Sequence, residues 1–325
     1  MMGDYHVHLH PHGDPVPGSP QPGTFPREHI ARYVEAAAAR GVTEVCFTEH
    51  LFRMRDSEPV LGDFWRDEPD GVAAHTLRMI ETERNMALDE YVGAIADAKD
   101  SGLPVLLGLE VDYFPETIDA VLDLLAPYPW DLLVGGVHWI GGFAFDDEAM
   151  IPEFNRRGAE QVFEAYFDLE TRLAASGTVD VLAHADLVKK HGHRSTGDLT
   201  EVFTNLARAT AASGTLVEVS SAGLTHQCRE IYPSQGLLSA FYDAGVAMTM
   251  ASDTHVPEGT GWGLDLVAEQ ARRAGYSQRA IFNGREHHVI DLVESYSVNP
   301  RDSSVSASAI KPSALSRTAR HPRLE

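Results

Sequence analysis

Residues 104–112 read PVLLGLEVD, a mostly apolar run that ends with two acidic residues, Glu110 and Asp112. A strand without polar–apolar alternation is buried on both faces, and such strands belong to parallel sheets covered by helices. The same pattern recurs at residues 4–8, 44–50, 131–138, 179–184, 215–220 and 246–253. The sequence therefore predicts seven buried parallel strands.

Helix-like stretches lie between these runs, and three of them stop at a glycine: Gly41, Gly177 and Gly214. Glycine just past a helix is a common stop signal. Alternating strands and helices predict an α/β fold with a parallel sheet. Seven repeats favour a closed barrel, and an open doubly wound sheet is the alternative. Residues 51–70 interrupt the alternation and are predicted to form a long irregular loop.

The composition excludes several classes of function. The chain has 325 residues, with 26 Lys and Arg against 48 Asp and Glu, and a formal charge of −22. So acidic a surface repels phosphate backbones, which argues against nucleic-acid binding. The 2 cysteines do not suggest a disulfide framework. We expect a cytoplasmic protein, because the start of the sequence lacks a secretory signal and no apolar run is long enough to span a membrane.

The last 29 residues, 297–325, are rich in serine and nearly free of large apolar side chains. Such a segment buries too little apolar surface to offset the entropy of ordering, so we predict a disordered tail. Residues 1–296 are expected to form one catalytic domain.

Every predicted strand ends with a side chain that binds metal ions in many proteins. Reacting residues of a parallel barrel lie at the C-terminal strand ends, so these side chains are expected to meet. They are His6, His8, Glu49, His50, Glu110, Asp112, His138, His184, Glu218, Asp253 and His255. Imidazole and carboxylate together suit Zn²⁺, Mn²⁺ or Fe, so we predict a metal centre.

The first strand, in DYHVHLHPHGD (residues 4–14), shows how a pair of ligands arises. Residues two apart on a strand face the same way, so His6 and His8 are expected to bind one ion side by side. His10 and His12 lie beyond the strand, and either is able to reach a further ion.

A resemblance to a known family runs from about residue 4 to residue 295. The motifs HVHLH, TEH, GLEVDY, GGVHWI, AHADLVKK and SDTH, in this order, resemble the PHP (polymerase and histidinol phosphatase) superfamily. The longer stretches GGVHWIGGFAFDD, EIYPS and SDTHVPEGTG resemble its histidinol-phosphatase branch. The resemblance implies a distorted (β/α)₇ barrel with the metal site at the C-terminal strand ends.

The resemblance also implies two to three divalent cations, Zn, Mn or Fe, and assigns their ligands. The first position takes His6, His8, Asp253 and a bridging Glu110; the second takes Glu110, His138 and His184; the third takes His50, His255 and a loop histidine. The family's loop histidine lies in a PHG motif, which assigns His12, with His10 as the substitute because this loop is shorter than usual.

The sequence has no glycine-rich phosphate loop, no Gly-x-Ser-x-Gly elbow and no cysteine at a strand end, so water is the expected nucleophile. Asp253 and Glu110 are the predicted catalytic residues. Loop cations are expected to bind substrate phosphate, and the candidates are Arg156, Arg157, Lys189, Lys190 and Arg229. The family's Glu-x-Asn and basic pair are replaced here by Ser220, Thr225 and His226.

These features predict a metal-dependent phosphomonoesterase, and the resemblance implies hydrolysis of L-histidinol phosphate in histidine biosynthesis. Glu49 or Glu218 is expected to attract the cationic end of that small substrate. One alternative is an enzyme for another small phosphate ester or a nucleotide. Another is a catalytically silent metal-binding module.

Overall fold

The computed structural model describes residues 2–13 and 18–292, in which strands and helices alternate. The strands are β1 (Gly3–Val7), β2 (Glu44–Phe47), β3 (Val105–Asp112), β4 (Leu132–Gly136), β5 (Trp139–Ile140), β6 (Phe143–Ala144), β7 (Val181–Leu182), β8 (Leu216–Ser220), β9 (Met248–Ala251), β10 (Gln278–Asn283) and β11 (Glu286–Asp291). The helices are α1 (Arg27–Ala39), α2 (Glu58–Leu61), α3 (Asp70–Glu83), α4 (Leu88–Asp100), α5 (Ile118–Leu125), α6 (Ile151–Arg157), α7 (Ala159–Ser176), α8 (Thr200–Ser213), α9 (Gln235–Asp243) and α10 (Leu264–Ala274).

Seven parallel strands form one sheet in the order β1-β2-β3-β4-β7-β8-β9. The sheet curves until the residues after β9 meet β1. The amide of Asp253 donates to the carbonyl of His6 at 2.9 Å, and the amide of His8 donates to the carbonyl of Thr254 at 2.8 Å. The result is a nearly closed barrel, so the predicted distorted (β/α)₇ barrel is confirmed over the open sheet.

The helices end where the sequence predicts. Gly177 follows α7 with a φ of 62°, and Gly214 follows α8 with a φ of 80°. Both angles lie in the left-handed region that glycine adopts without steric cost. Each glycine turns the chain from a helix back towards the next barrel strand.

The barrel interior is apolar at its lower end and polar at its upper end. Leu106 and Glu110 lie four residues apart on β3 and therefore face the same side. Leu106 packs in an apolar cluster with Tyr5, Leu132 and Val134, whereas Glu110 lies at the C-terminal end of the strands. Each interior face thus runs from a packed apolar floor to a row of polar groups.

An antiparallel hairpin, β10–β11, closes the lower end of the barrel. Phe282 of β10 packs edge-on against Tyr5, with 5.4 Å between ring centroids. Arg285 in the hairpin turn binds the Asp180 carboxylate at 2.9 Å, which fixes the hairpin to the chain just before β7. The seven predicted strands did not include this hairpin.

Residues 51–70 are more regular than predicted. They form 3₁₀ turns at Leu51–Arg53 and Arg55–Ser57, then α2, and α3 begins at Asp70. Gly62 ends α2 with a φ of 59°, and Pro69 directly precedes α3, so one continuous helix does not run through the segment. The predicted irregular loop is therefore a series of short turns followed by a full helix.

Within residues 2–13 and 18–292, no helix is both long and apolar enough to cross a bilayer. The predicted domain boundary after residue 296 and the predicted disordered tail lie outside the described residues. Both remain predictions.

Candidate metal centre

The structure brings together all nine predicted metal ligands at the C-terminal end of the barrel. β1 and the loop after it supply His6, His8 and His12; the other ligands lie within or just after later strands and are His50, Glu110, His138, His184, Asp253 and His255. The barrel curvature explains the meeting, because it brings seven strand ends that are far apart in the sequence into one ring.

Glu110 lies at the middle of this ring and is fully buried. Its Oε2 lies 3.3 Å from His6 Nε2, 3.5 Å from His8 Nε2 and 2.7 Å from His50 Nδ1. Its Oε1 lies 3.3 Å from His138 Nε2 and 2.9 Å from His184 Nε2. One carboxylate therefore faces five imidazoles, a geometry suited to a bridge between two cations.

The first cation position is framed by His6, His8 and Asp253. The two Nε2 atoms face each other at 2.9 Å, and Asp253 Oδ1 lies 3.6 and 3.4 Å from them. Donor atoms of these three residues all lie within 4.8 Å of one another. Since neighbouring histidines present facing ring nitrogens here, a cation satisfies both at once.

Two further groups of donors meet the same 4.8 Å limit. One comprises His50, Glu110 and His138, and the other comprises His8, His50 and His255. This grouping differs from the assignment that the family resemblance implies. His50 belongs to both groups, His8 takes part in the second of them, and the predicted ligands His12 and His184 belong to neither.

The loop histidine at the centre is His12. Its Nε2 lies 3.3 Å from His50 Nε2, and its ring centroid lies 4.6 Å from that of His255. His10 instead turns away, with its Nε2 3.0 Å from the carbonyl of Thr24. His12, and not His10, therefore lies beside His50 and His255, the two residues that the resemblance assigns to the third position.

The donor set fits divalent cations. Nδ1 of His8 and of His184 is buried without a hydrogen-bond partner among the described residues, and Glu110 Oε2, although 2.7 Å from His50 Nδ1, forms no aligned hydrogen bond with it. Burial, reinforced by neighbouring His8, lowers the pKa of His255 well below its ordinary value. A buried neutral imidazole offers a lone pair, which is the form that Zn²⁺ and similar metals bind.

Carboxylates behind the ligands fix the imidazole orientations. Glu218 Oε2 lies 2.6 Å from His6 Nδ1, and Asp112 Oδ1 lies 2.9 Å from His138 Nδ1. An Nδ1–H that donates to a carboxylate leaves Nε2 as the metal-binding atom. Burial alone would lower the pKa of His6, but Glu218, Glu110 and Asp253 raise it well above its ordinary value. The sequence identified Asp112 and Glu218 only as possible ligands, and their supporting role emerges from the fold.

Two ligands adopt strained backbone conformations. His184 has a φ of 29° and Asp253 has a φ of 49°, which non-glycine residues rarely adopt. Such conformations cost roughly 1–3 kcal/mol each and concentrate at functional sites. At both positions the fold accepts this cost where a ligand must turn into the centre.

A pocket opens above the ring of ligands. Its wall beyond the ligands includes Lys190, Asp146, Thr225, His226, Trp139 and Trp262. Lys190 Nζ lies 2.8 Å from Asp146 Oδ2, so the wall carries an ion pair. The Nδ1 of His226 lies 3.0 Å from the Tyr232 hydroxyl. Burial first, and then Lys190, lowers the pKa of His226 to about 3, so this imidazole is neutral.

Of the five cations predicted to bind phosphate, only Lys190 lines this pocket. Lys189 is buried with its Nζ 2.9 Å from Asp186 Oδ2. Arg156 and Arg157 both pair with Glu153 on α6. Arg229 is exposed and donates to the carbonyl of Leu224 at 3.1 Å.

Glu49 and Glu218 do not line the pocket either. Both are buried, and Glu49 accepts hydrogen bonds from the amides of Leu9 and His10 at 2.6 and 3.0 Å. These contacts place Glu49 beneath the first loop, and Glu218 lies behind His6. Neither residue therefore reaches a substrate in the pocket.

Comparison with known proteins gives consistent results. The family model for the PHP domain matches residues 27–222. A protein of Deinococcus radiodurans named "Probable histidinol-phosphatase" is 29% identical over 251 residues, which cover 77% of this chain and 87% of that protein. The histidinol-phosphatase of Lactococcus lactis is 21% identical over 292 residues, covering 86% of this chain and 94% of that protein.

Solved structures share the fold. The crystal structure of histidinol phosphate phosphatase from Lactococcus lactis, complexed with zinc, L-histidinol and phosphate, superposes with a TM-score of 0.66 at 20% identity. The match covers 88% of this chain and 98% of that one. A structure from Listeria monocytogenes gives a TM-score of 0.61 at 21% identity, over 80% of this chain and 98% of that one.

Proposed function

This chain belongs to the PHP domain family, and on that premise we propose that it is a metal-dependent phosphomonoesterase that hydrolyses L-histidinol phosphate. The observation that carries the proposal is the buried Glu110 carboxylate facing five imidazoles beneath an open pocket. The names of its relatives support the choice of substrate. The reaction yields L-histidinol and phosphate and would be a step of histidine biosynthesis. We propose that the enzyme acts in the cytoplasm.

Two to three divalent cations, zinc, manganese or iron, would be held by the nine residues described above. When bound, they supply the Lewis acidity that phosphate-ester hydrolysis needs at neutral pH. Glu110 fixes the spacing of the first two positions because its two oxygens face different imidazoles.

Asp253 handles the proton of the reaction. It lines the pocket, and its side chain is 14% exposed. Burial alone would raise its pKa, but His6 and His8 hold that pKa well below the ordinary value, so the carboxylate is ionised before reaction. As an ionised carboxylate at the pocket, Asp253 is our candidate to take the proton of the attacking water, and the same proton would pass to the alkoxide when the ester P–O bond breaks.

Lys190, Thr225 and His226 bind the phosphate from the pocket wall. Lys190 supplies a positive charge, and its partner Asp146 holds the ammonium in place. We assign the Tyr232 hydroxyl as the donor to Nδ1 of His226, 3.0 Å away, so that the neutral imidazole carries its proton on Nε2 and donates it to a phosphate oxygen. The wall thus relies on one cation and neutral donors where the family has a basic pair.

The cationic end of the substrate is met by Asp146, because Glu49 and Glu218 lie beneath the ligands. Burial alone would raise the pKa of Asp146, but Lys190 holds it well below the ordinary value, so Asp146 is ionised. Trp262, which is only partly buried, offers aromatic surface in the same pocket for the imidazole ring of histidinol.

The test is kcat/KM for histidinol phosphate beside a nucleoside monophosphate and a sugar phosphate. We expect histidinol phosphate to be favoured by at least about a hundredfold, roughly 3 kcal/mol of transition-state discrimination. The Glu110→Gln variant controls for contaminating phosphatase. A flat profile, or preference for another ester, would move the assignment to the second candidate, a phosphatase for another small ester, which the replacements at Thr225 and His226 favour. Absence of phosphate release from every ester would leave the silent metal-binding module.

A further inference from the structure

The loop that carries His12 is held by charged side chains outside the ligand set. Beneath its first residues, Glu49 accepts the amides of Leu9 and His10. Arg53, which is 1% exposed, donates to the carbonyls of His10 at 3.0 Å and Pro11 at 3.1 Å. Arg53 also lies 3.3 Å from Glu49 Oε2. Two amides and two carbonyls within residues 9–11 are therefore bound by side chains from the start of the segment after β2.

Glu83, the last residue of α3, holds the end of the same loop. Its Oε2 lies 2.9 Å from His12 Nδ1, and its Oε1 accepts the amide of Gly13 at 3.4 Å. The same Oε2 accepts from Arg53 Nε at 3.0 Å and from its terminal nitrogen at 2.8 Å. Arg53 thus neutralises Glu83 and fixes the direction of its carboxylate.

The side chain of His12 is 33% exposed, against 0% for His8 and 6% for His50. Packing therefore restrains the His12 ring less than the rings of His8 and His50. Its orientation depends more on its polar partners. Its Nδ1 lies 2.9 Å both from Glu83 Oε2, which accepts, and from an Arg53 nitrogen, which donates. A protonated Nδ1 satisfies Glu83 and leaves the Nε2 lone pair towards His50, whereas a bare Nδ1 places the proton on Nε2.

We propose that Glu83 is the positioning residue of the third cation position. By accepting a hydrogen bond from Nδ1–H of His12, Glu83 directs the lone pair of His12 Nε2 towards a cation, while Arg53 holds Glu83 and the loop in place. Glu218 and Asp112 accept hydrogen bonds from Nδ1 of His6 and His138 in the same way. The inference rests on the proposed function only in needing a cation among His12, His50 and His255.

The test measures bound zinc, with the metal-replete protein dialysed to equilibrium against graded free zinc and bound zinc counted by mass spectrometry. Wild type should take up three equivalents. Glu83→Gln should bind one of them about 10- to 100-fold more weakly, the range seen when a supporting side chain is lost, and keep the other two. Glu81→Gln, at an exposed position on the same helix, is the matched control and should bind as wild type.

Two further variants separate positioning from general support of the fold. His12→Ala should lose the same equivalent, and adding Glu83→Gln to it should cause no further loss. Glu83→Asp keeps the charge near Arg53 but withdraws the carboxylate from His12, so it should also lose only that equivalent, and it carries the test if Glu83→Gln does not fold.

Retention of the third equivalent within about twofold in either Glu83 variant, or equal weakening of all equivalents, would overturn the proposal. A wild type that takes up only two equivalents would overturn it too. Phosphate release measured on the same preparations distinguishes that result from failure of the proposed function, because a two-cation enzyme would still hydrolyse the ester.

Discussion

At the scale of single residues, Glu110 joins the two sides of the ring of ligands. Its two oxygens approach different imidazoles, and it is fully buried. His12 has the opposite character, since it lies at the edge on a loop and is partly exposed. Loss of the central ligand should therefore affect more of the centre than loss of the peripheral one.

Glu110→Gln should release more than one cation equivalent and lower kcat by at least about 100-fold, beyond the 10- to 100-fold typical of a supporting side chain. His12→Ala should lose one equivalent and retain more activity. Metal analysis and single-ester kinetics on both variants check this. Near-wild-type metal content in Glu110→Gln would contradict the bridging role.

Lys190→Ala should lower kcat/KM by roughly 10- to 100-fold, because a hydrogen bond to a charged group contributes about 1.5–3 kcal/mol. Arg156→Ala is the matched control, since Arg156 pairs with Glu153 on the surface of α6 and does not line the pocket. It should remain within about twofold of wild type. Equal losses in both variants would show that a different surface binds phosphate.

Most of the ligand candidates could be predicted from the sequence because they lie at the C-terminal ends of buried strands, and alternation on β1 places His6 beside His8. His12 lies in a loop and was predicted only from the family resemblance. Glu83 could not, since it ends a helix in a region without strand pattern, and only the tertiary fold brings it to His12. The choice between His10 and His12 also depended on where the short loop turns. The sequence could not show which of the five predicted phosphate-binding cations lines the pocket. It does not reveal which Lys and Arg side chains pair with a neighbouring acid.

At the scale of elements, the hairpin β10–β11 seals the lower end of the barrel far from the ligands. Phe282 is 4% exposed and meets Tyr5 in the interior cluster, whereas His287 on β11 is exposed. The hairpin therefore contributes to stability and not to chemistry.

Phe282→Ala should lower the free energy of unfolding by about 3–5 kcal/mol, as expected for a buried aromatic side chain. His287→Ala should change it by less than about 0.5 kcal/mol. Urea denaturation gives both values, and kcat at low temperature should be unchanged in each variant. A loss of activity in folded Phe282→Ala protein would show that the floor reaches the metal centre.

Helix α7 buries a carboxyl whose effect depends on pH. Burial raises the pKa of Glu170 from 4.5 to about 8. A carboxyl whose pKa is higher in the folded chain than in the unfolded chain binds its proton more tightly after folding. Its contribution to the free energy of unfolding is therefore fully present below pH 4.5 and is lost as pH rises through about 8.

Relative to Glu170→Gln, wild type should therefore become less stable by a few kcal/mol between pH 5 and 8.5, at about 1.4 kcal/mol per unit of pKa difference. Urea denaturation of both proteins across this range, at constant metal content, checks the trend. A stability difference independent of pH would show that the carboxyl is ionised in the folded chain.

At the scale of the whole molecule, bound cations should stabilise the barrel because their ligands come from strands throughout the chain. A ligand at about 1,000 times its dissociation constant stabilises by about 4 kcal/mol. Removal of metal by a chelator should abolish activity and lower Tm by roughly 5–15 °C. Zinc should restore both, whereas magnesium, which prefers oxygen ligands, should not. An unchanged Tm after complete removal would contradict this coupling.

The barrel could be predicted from seven buried runs, since their lengths and the glycines after the helices repeat along the chain. The closing hairpin could not, because β11 is mostly exposed and lacks the apolar pattern of the barrel strands. The short turns between β2 and α3 could not be predicted either, because Pro59, Gly62 and Pro69 are residues typical of irregular backbone.

The sealed floor has a consequence for the order of events. With Tyr5 and Phe282 filling the lower end and the ligands themselves buried, cations enter and leave by the same mouth as the phosphate ester. The same opening would therefore serve entry and exit of both the cations and the ester. A phosphate bound in the pocket would cover the predicted cation positions beneath it, so metal exchange should slow while substrate or product is bound.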